Sequence, residues 1–134
     1  MKRILAPIVL LTLLFPSLAY GVPIDDLVKR DGLYYEKSSD VPFTGKTTGD
    51  EQGTFKNGKK HGHWFVWDNG QLDTAGTYKN GKREGPWDTY HDKAQLRRKG
   101  TYKDGKKEGP WESYDKNGQS DEYAGIYKNG VKVN

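Results

Sequence analysis

The chain has 134 residues, room for one domain. Charged residues make up 30% and the hydrophobic set 33%, a balance that leans toward disorder. The 13% of aromatic residues recur at fixed intervals, which a disordered chain has no reason to arrange. The net charge of +4 overstates the basicity of the body of the chain, whose near-neutral balance argues against a general nucleic-acid binder, so no nucleic-acid partner is expected.

The chain opens with Met1-Lys2-Arg3, followed by an apolar run from Ile4 to Phe15 and then Pro16-Ser17-Leu18-Ala19. A short basic stretch, an apolar segment and small residues two apart are the parts of a cleavable export signal. Cleavage is expected after Ala19, with Gly21 as the alternative point. The apolar run is shorter than the roughly 20 residues that span a bilayer, so an anchor is the poorer reading. Removing residues 1–19 takes away Lys2 and Arg3, leaving 20 basic against 18 acidic residues, or +2. The protein is thus expected outside the cytoplasm, periplasmic or secreted. With no cysteine it has neither a lipid attachment point nor a disulfide to hold it together.

Residues 20–30 read as a linker and residues 31–53 as a divergent first hairpin. In this hairpin Asp31-Gly32 is a turn, Leu33-Tyr34-Tyr35-Glu36 a strand, and Val41-Pro42-Phe43-Thr44-Gly45-Lys46-Thr47 a second strand. From Gly53 the chain repeats itself. Gly76-Thr77-Tyr78-Lys79-Asn80-Gly81-Lys82-Arg83-Glu84-Gly85-Pro86-Trp87 returns as Gly100-Thr101-Tyr102-Lys103-Asp104-Gly105-Lys106-Lys107-Glu108-Gly109-Pro110-Trp111. A looser copy begins at Gly53 and a truncated one at Gly125. The leading glycines lie 23, 24 and 25 residues apart, the period of a repeat array.

Each repeat reads as a hairpin. In Gln95–Lys103, Leu96, Gly100 and Tyr102 share one parity against Gln95, Arg97, Lys99, Thr101 and Lys103, and only Arg98 breaks the apolar side. Period-two alternation of this length indicates a half-buried strand. Asn57-Gly58, Asn80-Gly81, Asp104-Gly105 and Asn129-Gly130 are the pairs favoured in two-residue hairpin turns. Gly76, Gly100 and Gly125 lie within the apolar parity and are expected to make room for an indole. The second strand carries Trp64 with Trp67, Trp87 with Tyr90, and Trp111 with Tyr114. Residues three apart point to opposite faces of a regular strand, so either both faces carry aromatics or a bulge turns one of them.

This motif, tandem at about 23 residues, resembles the MORN repeat, in the variant form of small exported bacterial proteins, some labelled antitoxin-like. The resemblance covers residues 30–131. It implies an all-β fold, tandem antiparallel β-hairpins forming one elongated, twisted sheet, with units beginning near residues 53, 76, 100 and 125. It also implies a platform for protein interaction and assembly, in some cases for acidic phospholipids.

Chemistry is sparse. His61-Gly62-His63 suggests a metal pair, yet His61 stands in the register of Glu84 and Glu108, His63 in that of Pro86 and Pro110, and His91 is isolated. No serine has the setting of a nucleophile, so neither catalysis nor a cofactor is expected. Two surfaces remain. The aromatics Trp64, Trp67, Trp87, Tyr90, Trp111 and Tyr114 are candidates for a protein partner, if they are exposed. The turn pairs Lys59 and Lys60, Lys82 and Arg83, and Lys106 and Lys107 are candidates for an acidic membrane or envelope surface. The plainer reading of those lysines is solubility and protection of sheet edges. An antitoxin-like role ranks behind both, and dimerisation through a sheet edge or face is open.

Overall fold

The computed structural model describes residues 21–134; the expected leader over 1–19 and its cleavage point at Ala19 lie outside the described residues. The described chain is built of strands, in order β1 (Val22–Pro23), β2 (Leu27–Arg30), β3 (Leu33–Glu36), β4 (Gly45–Thr48), β5 (Glu51–Lys56), β6 (Lys59–Asp68), β7 (Gln71–Lys79), β8 (Lys82–Arg83), β9 (Gly85–His91), β10 (Gln95–Lys103), β11 (Lys106–Ser113), β12 (Gly125–Lys128) and β13 (Val131–Lys132). Short 3₁₀ turns at Ile24–Asp26 and Asp92–Ala94 are the only helical elements among them.

Eleven strands form one sheet in the order β1-β4-β5-β6-β7-β9-β10-β11-β12-β13, with β8 paired to β7. The pairing is antiparallel except at one end, where Val22 and Pro23 run parallel to Thr47 and Thr48. The all-β hairpin array is therefore present, and its sheet is mixed rather than purely antiparallel. The turns follow the expected chemistry. Asn80 and Gly81 take φ of 49° and 82°, both positive as a two-residue hairpin requires, and the copies at 57–58, 104–105 and 129–130 repeat this. Ala94 replaces a glycine, and its turn takes another form, with Lys93 and Ala94 at φ of 63° and 57°.

The N-terminal part departs from the sequence reading. Residues 20–30 are not a linker: from Val22 they enter the fold, and Leu27–Arg30 pairs with Leu33–Glu36 across the Asp31-Gly32 turn in a separate two-stranded sheet. Val41–Thr47 does not complete that hairpin; only Pro42 bridges Tyr35, and Gly45–Thr48 pairs with β5 instead. The reason lies at the first repeat turn. The Gly58 amide donates to Phe43 O, the Phe43 amide to Tyr34 O, and the Tyr34 amide to Gly58 O. The hairpin is held over the array's first turn and covers its open end.

The core is a line of rings. Centroids of Phe55, Trp64, Tyr78, Trp87, Tyr102, Trp111 and Tyr127 follow each other at 5.0–6.4 Å, each pair close to edge-on. Each such contact contributes about 0.5–1.5 kcal/mol beyond the area it buries. Glycine makes the line possible. A Cβ at Gly53, Gly76 or Gly100 would overlap the indole of Trp64, Trp87 or Trp111 respectively. Gly125 differs: a Cβ there would meet Asn134 O and the Lys132 side chain rather than an indole.

Candidate functional site

The register decides which side chains share a face. Thr74 lies opposite Val66 and Leu72 opposite Trp67, leaving Asp73 as an extra residue in β7. Likewise Arg98 lies opposite Thr89 and Leu96 opposite Tyr90, leaving Arg97 extra in β10. Paired residues share a face and adjacent residues do not. Each bulge therefore carries its leucine across the sheet. Leu72 and Leu96 face away from Gly76, Tyr78, Gly100 and Tyr102, so the single apolar parity expected for Gln95–Lys103 does not hold. On that register Arg98 lies on the aromatic core side with Gly100 and Tyr102.

This settles the Trp-x-x-aromatic pairs. The bulges lie on the partner strands, and both faces carry aromatics. Trp64, Trp87 and Trp111 are 1%, 5% and 6% exposed and form the inner core. Trp67, Tyr90 and Tyr114 alternate to the outer face and are half-buried. There Tyr90 Oη donates to Asp88 at 3.5 Å, and Tyr114 Oη to Glu112 at 2.8 Å. Both phenols are raised above their usual pKa, Tyr90 chiefly by burial and Tyr114 chiefly by the bond to Glu112. On the same face His63 stacks at 6.5 Å on Phe65, which is 38% exposed. These two, with Ala75, Thr77 and Pro86, line a mostly apolar depression of about 240 Å³.

The basic pairs divide in the same way. A two-residue turn that pairs Lys79 with Lys82 also pairs Tyr78 with Arg83, and the copies pair Phe55 with Lys60 and Tyr102 with Lys107. The second cation of each pair is thereby placed over the rings. Lys60 Nζ lies 4.3 Å from the Trp64 ring, Arg83 Cζ 4.7 Å from Trp87, and Lys107 Nζ 4.7 Å from both Trp111 and Tyr127. The first cation stays at the turn edge. Lys59, Lys82 and Lys106 are exposed, each with its stem under the next unit's turn glycine, Gly81, Gly105 and Gly130.

The residue after each basic pair ties one unit to the next. Glu84 accepts from the Asp104 amide at 2.7 Å and Glu108 from the Asn129 amide at 2.9 Å; His61 Nδ1 does the same for Asn80 at 3.4 Å. The histidines have separate employment: His61 at a turn, His63 against Phe65, and His91 with Nε2 2.7 Å from Tyr114 O. The structure does not bring them together.

The MORN repeat family model matches the chain at three places, residues 52–72, 75–86 and 99–110. The chain carries MORN repeats at these three places. No curated protein and no solved structure gives a significant match. MORN repeats are generally non-enzymatic modules for interaction with proteins or membranes. The three matched stretches carry the turn pairs and, in the first, the outer aromatic Trp67.

Proposed function

We propose that this chain is a non-enzymatic interaction module that docks a protein partner on the outer face of its sheet. The observation that carries the reading is the row Trp67, Leu72, Tyr90 and Leu96, which the two bulges assemble across β6, β7, β9 and β10, with Tyr114 just past the end of β11. The inner line of rings is continuous without these side chains. Phe65 and the apolar depression beside it extend this surface, and aromatic side chains supply contact area at low entropic cost. The buried Trp64, Trp87 and Trp111 support the surface from behind and do not touch the partner. Action outside the cytoplasm rests on the leader Met1–Ala19.

A photo-crosslinking residue at Phe65 or Tyr90 tests this in the native compartment. A discrete protein adduct is expected from these positions and none from Lys82 at the turn edge. Equal adducts from all three would overturn the assignment of the face.

The aligned Lys59, Lys82 and Lys106 favour a second reading, docking on an acidic membrane or envelope surface. That attraction would collapse with salt, as the screening length falls from about 10 Å at 0.1 M to about 3 Å at 1 M. Sedimentation with acidic vesicles at the two salt levels separates the readings. No binding at low salt would remove the membrane.

A further inference from the structure

The inner face holds a cationic cavity that the repeat itself does not require. It has a volume of about 130 Å³, well above the roughly 10–15 Å³ one water needs. Arg83, Arg98 and Lys107 line it, with Thr74, Thr89 and Tyr102 among the other groups. No carboxylate lines it, and none of the three cations has an acid within 4.0 Å among the described residues. Two of its polar atoms, Thr89 Oγ1 and Arg98 Nε, are buried without a hydrogen-bond partner. Orphaned buried donors are uncommon and call for an explanation.

Comparison between repeats sharpens the point. Counting back two residues from Gly53, Gly76 and Gly100 gives Glu51, Thr74 and Arg98. Glu51 accepts from Lys60 Nζ at 3.4 Å and from Trp64 Nε1 at 3.3 Å, and so neutralises the cation over its tryptophan. At the third repeat the same position is an arginine facing Lys107. Lys107 is held below its usual pKa by burial first, then by Arg98 and Arg83, so the three cations sense one another. Asp121 does not line the cavity; its carboxyl is lowered first by the Ser113 hydroxyl and, among other causes, by Arg98 and His91.

We propose that this cavity is a binding site for a tetrahedral oxyanion, a free phosphate or a phosphomonoester group, held by Arg83, Arg98, Lys107 and the Thr89 hydroxyl. Guanidinium forks match phosphate oxygens in pairs and add charge-assisted hydrogen bonds. The anion relieves the repulsion among three cations and gives Arg98 Nε and Thr89 Oγ1 a partner. Aromatic side chains hold two of the cations in place: Arg98 Cζ lies 4.5 Å from the Tyr123 ring outside the cavity, and Arg83 Nη1 donates to Tyr102 Oη in its wall at 3.0 Å. The site does not depend on the outer face or on the turn-edge lysines.

The test is titration of the purified full chain with inorganic phosphate at low ionic strength, read by the indole resonances of Trp87 and Trp111. Saturable 1:1 shifts at these two indoles are expected. Arg98→Thr, which installs the residue its neighbouring repeat carries, should weaken binding at least about tenfold, the worth of one charge-assisted hydrogen bond. Lys37→Gln removes one charge from the exposed turn after β3 and should leave binding unchanged. Absence of a saturable shift, or equal loss in the two variants, would overturn the site. Vesicles containing phosphatidic acid then identify the source. Retention competed by inorganic phosphate assigns a lipid phosphomonoester, and saturable phosphate binding without retention assigns a soluble one.

Discussion

The two ends of the ring line are built from one motif and closed in different ways. Around Phe43, Phe55 and Trp64, the N-terminal segment lays Val22, Ile24, Leu27 and Tyr34 against the core. There Glu51 balances Lys60, the cation over Trp64. Around Trp87, Trp111 and Tyr127, the surrounding apolar groups are only Tyr78 and Tyr102, and three cations meet with a cavity between them. A repeat fixes the shape of each unit, while a single register position, acid in one unit and arginine in another, decides whether the cation over its tryptophan meets a carboxylate or a second cation. Terminal units are free to diverge because they have one neighbour fewer.

The largest effect that separates the two ends is loss of an indole. Trp64→Ala should cost about 3–5 kcal/mol in urea unfolding, since a buried ring leaves a void that its tight surroundings cannot fill. Trp111→Ala should fall at or below the lower end of that range, because it borders a cavity that already exists. Equal costs would mean the two ends are packed alike. Next in size is Gly100→Val, which forces side-chain atoms into the Trp111 indole. Overpacking of this kind costs about 1–3 kcal/mol and should lower the thermal midpoint by several degrees. An unchanged midpoint would put the indole elsewhere than over Gly100.

How far the sequence reached depends on which residues are asked. The turn pairs were legible because positive φ at two successive positions restricts them to Asn, Asp and Gly. The sequence reading keeps both cations of each pair at the turn edge and misses that Lys60, Arg83 and Lys107 lie over the rings. A two-residue turn at Asn80-Gly81 obliges residue 78 to face residue 83, which sets a cation over the core. The bulges at Asp73 and Arg97 were not legible. Nothing in their local chemistry marks an extra residue, and without it Leu96 falls on the face of Tyr102 and Arg98 reads as an accident. The outer aromatic row and the cationic cavity both follow from those two residues. The hairpin Leu27–Glu36 was hidden for another reason: its place is set by hydrogen bonds to Gly58, more than twenty residues away.

The smallest effect is also the one most specific to the open end. Lys107 has a folded pKa below its unfolded value of 10.5, with burial as the main cause and Arg98 and Arg83 adding to it. Between the two values the unfolded chain binds more protons than the folded one, so stability must rise with pH through that window. Below the folded pKa the penalty is present in full; above 10.5 it is gone. Thermal midpoints measured from pH 8 to 11 should therefore carry an upward contribution in that window that is reduced in Arg98→Thr, which relieves one of the two charge repulsions. Lys60 provides the control position, over Trp64 with Glu51 3.4 Å from it. Lys60→Met should leave the upward contribution in place, whereas Lys107→Met should remove it. If both variants keep it, the repulsion does not centre on Lys107, and the difference between the closed and open ends is one of packing alone.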